Sequence, residues 1–109
     1  MTTGSTPTAE QQAQQIREVW LLPVFTPRPD CAAELSAALR ELQQESRQDQ
    51  GSIEYSVYAV DGRFILIEGW DSQTDLERHN EQAHVQEFVA LSARLLAKPF
   101  TVTPITRVG

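Results

Sequence analysis

Hydrophobic and polar residues follow two different periods along this chain, and the order of those periods predicts the fold class. Residues 52–60 alternate as in a strand with two unlike faces, and two further runs are rich in Val, Ile, Leu and aromatic residues. Leu35, Leu39 and Leu42 recur at helical spacing and predict a helix capped by Asp30. The predicted strands are residues 16–25, 52–60, 64–70 and 100–108, and the predicted helical segments are residues 30–47, 72–79 and 82–97.

The resulting order, β-α-β-β-α-β, is that of an α+β ferredoxin-like domain, in which helices cover one face of an antiparallel sheet. Ser72 and Asp75 have the spacing of a capping box, and Pro104 places the last strand at a sheet edge or a bend. The third strand is apolar on both faces, so both faces need a cover. Because one sheet face lacks helices, we expect a homodimer in which two sheets pack face to face.

The Asp61-Gly62 pair predicts a hairpin between the second and third strands, and the length of its loop decides which side chains share a face. A three-residue loop places Tyr58 on the face of Glu68, whereas a two-residue turn places Tyr55 beside Glu68. The three-residue loop is preferred, because the apolar residues of the second strand then form one helix-facing layer. The third strand contributes Phe64, Leu66, Glu68 and Trp70 to a single face, called the Trp face below, which is expected to be the bare one.

Length and composition limit the classes of function. At 109 residues the chain forms one domain over residues 16–109, and residues 1–15 are polar enough to form a disordered tail. A net charge of -6 without a basic run argues against nucleic acid, and the apolar runs are too short to cross a membrane. Cys31 is the only cysteine and no secretory signal is recognisable, which together predict a reducing cytoplasm.

From Gly51 onward the sequence resembles the antibiotic biosynthesis monooxygenase family, whose members typically carry a Pro-Gly-Cys, a Tyr, a Glu-x-Trp and helices with two histidines. The matching residues here are Gly51, Tyr55, Glu68-Gly69-Trp70, His79, Ala83-His84-Val85 and Phe88, and a weaker likeness extends over about residues 16–108. The resemblance implies a dimeric α/β barrel that oxidises a quinol, anthrone or similar phenol with O2 and without a cofactor. It also implies a substrate cavity bordered by the Trp face.

The chain departs from the family pattern at several positions. Related anthrone oxygenases place an Asn four residues before the Trp and a Tyr six residues after it, where this chain has Leu66 and Leu76. Haem-degrading relatives carry an iron-ligating His at the position of Val89, which argues against haem. Trp70 therefore indicates the fold better than it indicates the substrate.

The two histidines are the candidate catalytic residues. His79 is the first choice for a base that removes a phenolic or enolic proton, because an imidazole titrates near neutral pH; a solvated His at a helix end is the alternative. His84 occupies the family's second His position, where a hydrogen bond that anchors its helix is the alternative. No metal site is expected, since the two histidines lie five residues apart and do not share one helical face.

The expected cavity supplies the candidate substrate-binding residues. Trp70 either stacks on a planar substrate or packs in the core. Glu68 either has a raised pKa and shuttles a proton, or forms an ion pair with an Arg such as Arg63 or Arg94 or with an Arg of the partner chain. Tyr58 either binds a substrate oxygen or anchors the sheet. The remaining predicted wall residues are Phe64, Leu66 and Leu76.

Three functions remain open from the sequence. The leading hypothesis is a cytoplasmic, homodimeric, cofactor-independent monooxygenase that acts on a small aromatic substrate with O2. The second is an isomerase of a small enolisable carbonyl compound, which would use the same base without oxygen. The third is a non-catalytic dimeric binder of small molecules, since Leu66 and Leu76 replace polar residues of the anthrone oxygenases.

Overall fold

The computed structural model describes residues 17–109, which form a four-stranded antiparallel sheet and three helices, as the ferredoxin-like prediction required. The predicted tail, residues 1–15, lies outside the described residues. Each predicted element is present, and its ends differ from the predicted ones by at most three residues. In chain order the elements are β1 (Val19–Phe25), α1 (Ala32–Ser46), β2 (Ser52–Val60), β3 (Arg63–Trp70), α2 (Gln73–Asn80), α3 (Ala83–Leu95) and β4 (Thr101–Ile105).

The sheet has the strand order β2-β3-β1-β4, and every neighbouring pair is antiparallel. The β4 strand, with Pro104 in it, lies at one edge, as the sequence predicts. The helices cover one face, called the inner face here, and α1 packs against both α3 and β2. The core between these layers contains Phe25, Leu35, Leu39, Leu42, Tyr55, Leu66, Trp70, Leu76, Val85, Phe88, Leu95 and Leu96.

The hairpin between β2 and β3 has a two-residue turn, so the preference for a three-residue loop is wrong. Val60 pairs with Arg63, and both turn residues, Asp61 at φ 50° and Gly62 at φ 74°, have the positive φ of a tight hairpin turn. Such turns match the right-handed twist of the flanking strands, and this local geometry outweighs the apolar matching used to choose the register. Tyr55 consequently pairs with Glu68.

This register places the Trp face on the inner side of the sheet, under the helices, and not on the bare side. A β-bulge between Ser52 and Glu54 interrupts the alternation at Ile53. The apolar residues of β2, which were expected to form one helix-facing layer, therefore do not all lie on one face of the sheet. Tyr58 points the other way and is 50% exposed. The expectation that Tyr58 joins the Trp face is therefore also wrong.

The sequence signals for a helix start are confirmed for α2 but not for α1. Ser72 caps α2, since its Oγ accepts the backbone N–H of Asp75 at 3.1 Å, as the capping-box spacing predicts. In α1 the cap position is Cys31 and not Asp30, and no side chain bonds the first turn. The Asp30 carboxylate is instead 3.6 Å from Cys31 Sγ.

The outer face of the sheet carries no helix and remains largely apolar. Trp20, Ile65 and Ile67 lie there, partly exposed, and Tyr58 and Val60 extend the surface towards the sheet edge. The Trp20 ring covers the small Gly69, where a Cβ would come within 2.6 Å of ring carbons. Within residues 17–109, none of the helices combines the length and the apolar character needed to cross a lipid bilayer.

Candidate active site

A cavity of about 330 Å³ lies between the inner sheet face and helices α2 and α3. Its walls are mainly apolar, and three ionisable side chains, Tyr55 from β2, Glu68 from β3 and His79 from α2, border it from different elements. Pockets that bind small organic ligands combine these features, with apolar walls and a few convergent polar groups. The apolar part of the wall includes Leu66, Leu76, Val85 and Phe88.

His79 and His84 meet at a single carboxylate oxygen. The Oδ2 atom of Asp49 lies 2.7 Å from His79 Nδ1 and 2.8 Å from His84 Nε2. Since a carboxylate accepts hydrogen bonds, both imidazoles donate an N–H to it, which assigns His79 the Nδ1–H tautomer. The unprotonated Nε2 of His79 is then available on the opposite side of a ring that borders the cavity.

Local structure explains why these three residues meet. Asp49 lies in the loop between α1 and β2, where its N–H donates to Ser46 O and its carbonyl accepts from Ser52 N. Gly51 ends that loop at φ 82°, and the Asp75 carboxylate occupies the space that a side chain on Gly51 would need. The loop is thereby fixed against the start of α2.

The break between α2 and α3 explains why the metal argument from sequence spacing does not hold. The chain leaves the helical path at residues 81–82, so His79 and His84 belong to two different helices. Helical periodicity therefore does not relate His79 to His84. Both imidazole rings lie within hydrogen-bond distance of Asp49. Among residues 17–109, the donor atoms of Asp49, His79 and His84 lie within 4.8 Å of one another, close enough to bind one metal ion.

Sequence reasoning missed Asp49, because Asp49-Gln50-Gly51 was interpreted only as the end of a helix. The only available signal was an acidic residue in a short loop that precedes the strand of the family motif. Asp49 contacts His79, which lies 30 residues further along the chain. A contact at this distance in sequence is set by tertiary packing and leaves no local sequence pattern.

His79 is deeply enclosed by aromatic rings. Its side chain is 2% exposed, the Trp70 ring centroid lies 4.4 Å away and that of Tyr55 lies 5.4 Å away. Burial lowers the pKa of His79, although the hydrogen bond and the charge of Asp49 oppose that shift. The ring is therefore held neutral at physiological pH, and the prediction of a solvated helix-end His is wrong.

Glu68 is a buried carboxyl group, 6% exposed, without a cationic partner among residues 17–109. The indole Nε1–H of Trp70 donates to Glu68 Oε1 at 2.8 Å. Burial raises the pKa of Glu68, and the Trp70 hydrogen bond only partly offsets this shift. Within residues 17–109 Glu68 forms no ion pair with Arg63 or Arg94, and Arg94 pairs with Glu34 on the protein surface. An ion pair with an Arg of the partner chain stays a prediction.

Tyr55 takes the place beside Glu68 that the sequence analysis gave to Tyr58. Its side chain is 3% exposed and its ring lies edge-on to Trp70 at 6.3 Å. Burial, together with the Glu68 and Asp49 charges, raises the pKa of Tyr55 well above its ordinary value, so the phenol stays protonated. The fully buried Ser46 Oγ has no hydrogen-bond partner among the described residues.

The other predicted wall residues are distributed unevenly. Leu66 and Leu76 line the cavity, whereas Phe64 lies on the same sheet face but borders a separate groove beside α1. Trp70 is fully buried and packs on His79, so it offers no free face on which a substrate can stack. Tyr58, on the outer face, does not reach the cavity.

Comparisons with known proteins identify one family. A sequence model described as "Antibiotic biosynthesis monooxygenase" matches residues 21–91. The chain is 32% identical over 78 residues to the Bacillus subtilis protein named "Putative monooxygenase YcnE", a match that covers 69% of this chain and 82% of that protein.

Solved structures show the same fold. Rv0793 from Mycobacterium tuberculosis superposes with a TM-score of 0.79 at 28% identity, covering 84% of this chain and 96% of that one. PA3566 from Pseudomonas aeruginosa gives a TM-score of 0.79 at 26% identity, covering 85% and 96%. The complete ferredoxin-like unit is therefore shared with both proteins.

Proposed function

Since this chain belongs to the antibiotic biosynthesis monooxygenase family, we propose that it is a cofactor-independent monooxygenase of a quinol, anthrone or similar phenolic compound. The observation that carries the proposal is the neutral, enclosed imidazole of His79, which Asp49 orients against the wall of a mainly apolar cavity. A cavity of about 330 Å³ is at the small end of ligand pockets, which span roughly 300–1,000 Å³, and favours a compact aromatic substrate.

His79 acts as the general base. Its Nε2 accepts the acidic proton of the substrate, and the Asp49 carboxylate stabilises the imidazolium that forms. Because burial lowers the pKa of His79, the ring is unprotonated and ready to accept a proton at neutral pH. His84 holds Asp49 from the other side and so positions His79 indirectly.

The deprotonated substrate then supplies all the electrons. It transfers one electron to O2, the resulting radical and superoxide combine at the substrate carbon, and the O–O bond of the peroxide breaks. One oxygen atom stays on the carbon as a carbonyl, and the other leaves as water with the two hydrogens removed from the substrate. The apolar side chains of Leu66, Leu76 and Phe88 line the cavity and limit the water around the radical pair.

Glu68 works as an acid opposite His79. Burial raises the pKa of its carboxyl group and so favours the protonated form, from which a proton can pass to a substrate oxygen as charge develops there. The Trp70 indole holds one oxygen of the carboxyl group and leaves the other for the substrate. Trp70 thus supports His79 from behind and does not contact the reacting atoms, whereas Tyr55 lies edge-on to His79 and also lines the cavity.

The proposed active form is a homodimer that buries the outer sheet face. Trp20, Ile65 and Ile67 form an apolar surface there without a helix to cover it, and covering apolar area stabilises by roughly 25 cal/mol per Å². Cys31 is the only cysteine of the chain, which suits a cytoplasmic location for the proposed enzyme.

A histidine replacement tests the assignment of the base. With 1,4-naphthoquinol and anthrone as probes and EDTA present, the proposal predicts that His79→Gln lowers the enzyme-dependent rate of O2 consumption by roughly 10²–10⁴-fold. His84→Gln is the matched control, because it makes the same chemical change outside the cavity and should cost less. Equal rates for wild type and His79→Gln would remove His79 from the mechanism.

An isomerase is the second candidate, because one observation suits it as well. Glu68 and His79 border the same cavity, so an acid and a base face one substrate, as enolisation of a carbonyl compound requires. Conversion of a substrate at equal rates with and without O2 would favour this second function.

A further inference from the structure

The cluster of Asp49, His79 and His84 has the composition of a metal site. Two imidazole nitrogens and one carboxylate oxygen come from the α1–β2 loop, α2 and α3, and all three atoms lie within 4.8 Å of one another. Imidazole and carboxylate together bind divalent transition metals such as Zn²⁺, and a site with three protein ligands leaves a position for water.

A second observation points to a cation. His84 also lines a small pocket of about 110 Å³ between α1 and α3, which shares the wall residues Leu42 and Phe88 with the substrate cavity. Three glutamates, Glu41, Glu45 and Glu87, line the same pocket, and none of them forms an ion pair within residues 17–109. Their charges attract cations towards the one wall residue that belongs to the cluster.

We propose that Asp49, His79 and His84 bind a divalent transition-metal ion that enters through this acidic pocket, and that the bound ion blocks the base. The binding itself is independent of the proposed function, whereas the block rests on it.

The required rearrangement is small. Ligand atoms around a tetrahedral Zn²⁺ stand about 2.0–2.2 Å from the metal and hence roughly 3.3 Å from one another. Asp49 Oδ2 now lies 2.7 Å and 2.8 Å from the two nitrogens, so it must retreat by roughly half an ångström. The two nitrogens lie within 4.8 Å of each other and must stand roughly 3.3 Å apart around the ion. The side chains of Asp49 and His84 are 14% and 17% exposed, so neither is fully enclosed by the core.

The block follows from the chemistry of imidazole. A metal ion on His79 Nδ1 needs the lone pair of that atom, so the ring proton moves to Nε2, the atom to which the proposed function assigns the role of base. His84 makes the opposite change, from Nε2–H to Nδ1–H. No proton is released overall, but His79 can no longer accept one from the substrate.

Metal titration of untagged protein tests the site. His79 and His84 are the only histidines of the chain, and Cys31→Ser removes the only thiol, so few competing ligands remain. Calorimetry with Zn²⁺ should give one ion per chain, and Co²⁺ should produce visible absorption bands typical of tetrahedral coordination. Asp49→Asn and His84→Gln should each weaken binding at least tenfold.

Asp61→Asn is the matched control, since it makes the same change in the exposed hairpin turn, and it should bind as tightly as wild type. The proposal is overturned if wild type takes up no stoichiometric Zn²⁺, or if the two Asp variants bind equally. If Asp49→Asn does not fold, the His84→Gln variant and the ¹⁵N shifts of wild-type His79 test the site instead. On Zn²⁺ binding, the ring proton of His79 must move from Nδ1 to Nε2.

Activity separates the two halves of the proposal. Zn²⁺ should suppress turnover of naphthoquinol, EDTA should restore it, and His84→Gln should need at least ten times more Zn²⁺ for the same fractional loss. Stoichiometric binding that leaves turnover unchanged, or increases it, would overturn the block and leave the site intact. A protein that binds Zn²⁺ but oxidises no phenol would instead contradict the proposed function.

Discussion

Glu68 shows how one side chain links the site to stability. Its folded-state pKa is raised above the ordinary value of 4.5, mainly by burial, so the folded protein keeps a proton that the unfolded chain loses. The stability that Glu68 contributes is complete below about pH 4.5 and is lost as the pH rises through the raised value. A carboxyl group that serves as an acid therefore destabilises the fold at neutral pH.

Replacement of Glu68 tests this linkage. Glu68→Gln stays neutral and keeps an oxygen for the Trp70 indole, so its free energy of unfolding should exceed that of wild type increasingly as the pH rises. The gain is at most about 1.4 kcal/mol for each unit of pKa shift. Urea unfolding from pH 4 to pH 8 measures it. Glu54→Gln, the same change on the outer face, is the control, and identical pH dependence in both variants would contradict the assignment.

At the scale of single elements, the sequence contained most of what was needed. The β2 strand was predicted at its observed bounds, and Ser72 and Asp75 gave the start of α2, because alternation and caps are local properties. The hairpin was recognised from Asp61-Gly62, but its register was not, since matching apolar residues competed with turn geometry. The contact of Asp49 with the two histidines could not be predicted from the sequence, because it depends on the break between α2 and α3 and on the packing of the α1–β2 loop against them.

The start of α2 is expected to position His79. Removing the Ser72 hydroxyl leaves the N–H of Asp75 without its acceptor, so Ser72→Ala should lower the free energy of unfolding by about 1 kcal/mol. Chemical denaturation measures this loss. The control is Ser36→Ala in the interior of α1, where Ala is a better helix former than Ser. An equal or smaller loss at Ser72 would show that the cap does not hold the helix.

At the scale of the whole molecule, the two sheet faces have different tasks. The inner face, with Tyr55, Leu66 and Glu68, supplies the cavity wall, and the outer face supplies the proposed interface between copies. The sequence analysis assigned both tasks to the Trp face of β3, because it expected that face to be the bare one, whereas the structure places it under the helices. Ferredoxin-like topology and its family likeness were nevertheless recognised correctly.

A charge on the outer face tests the dimer. Ile67→Glu places a carboxylate in the centre of the apolar surface, where burial against a second sheet would be costly, so the variant should sediment as a monomer. Val108→Glu, which adds the same charge at a fully exposed terminal position, should sediment like wild type. A wild-type protein that sediments as a monomer at micromolar concentration would contradict the proposed interface.

The central proposal for this cavity is that it inserts oxygen into an aromatic substrate without a cofactor. Turnover of anthrone under ¹⁸O2 by metal-free protein tests it most directly. We predict one ¹⁸O atom in each product molecule and one O2 consumed for each substrate converted, with no turnover in the absence of O2. Conversion under anaerobic conditions, or a product that carries no ¹⁸O above the uncatalysed background, would contradict the account.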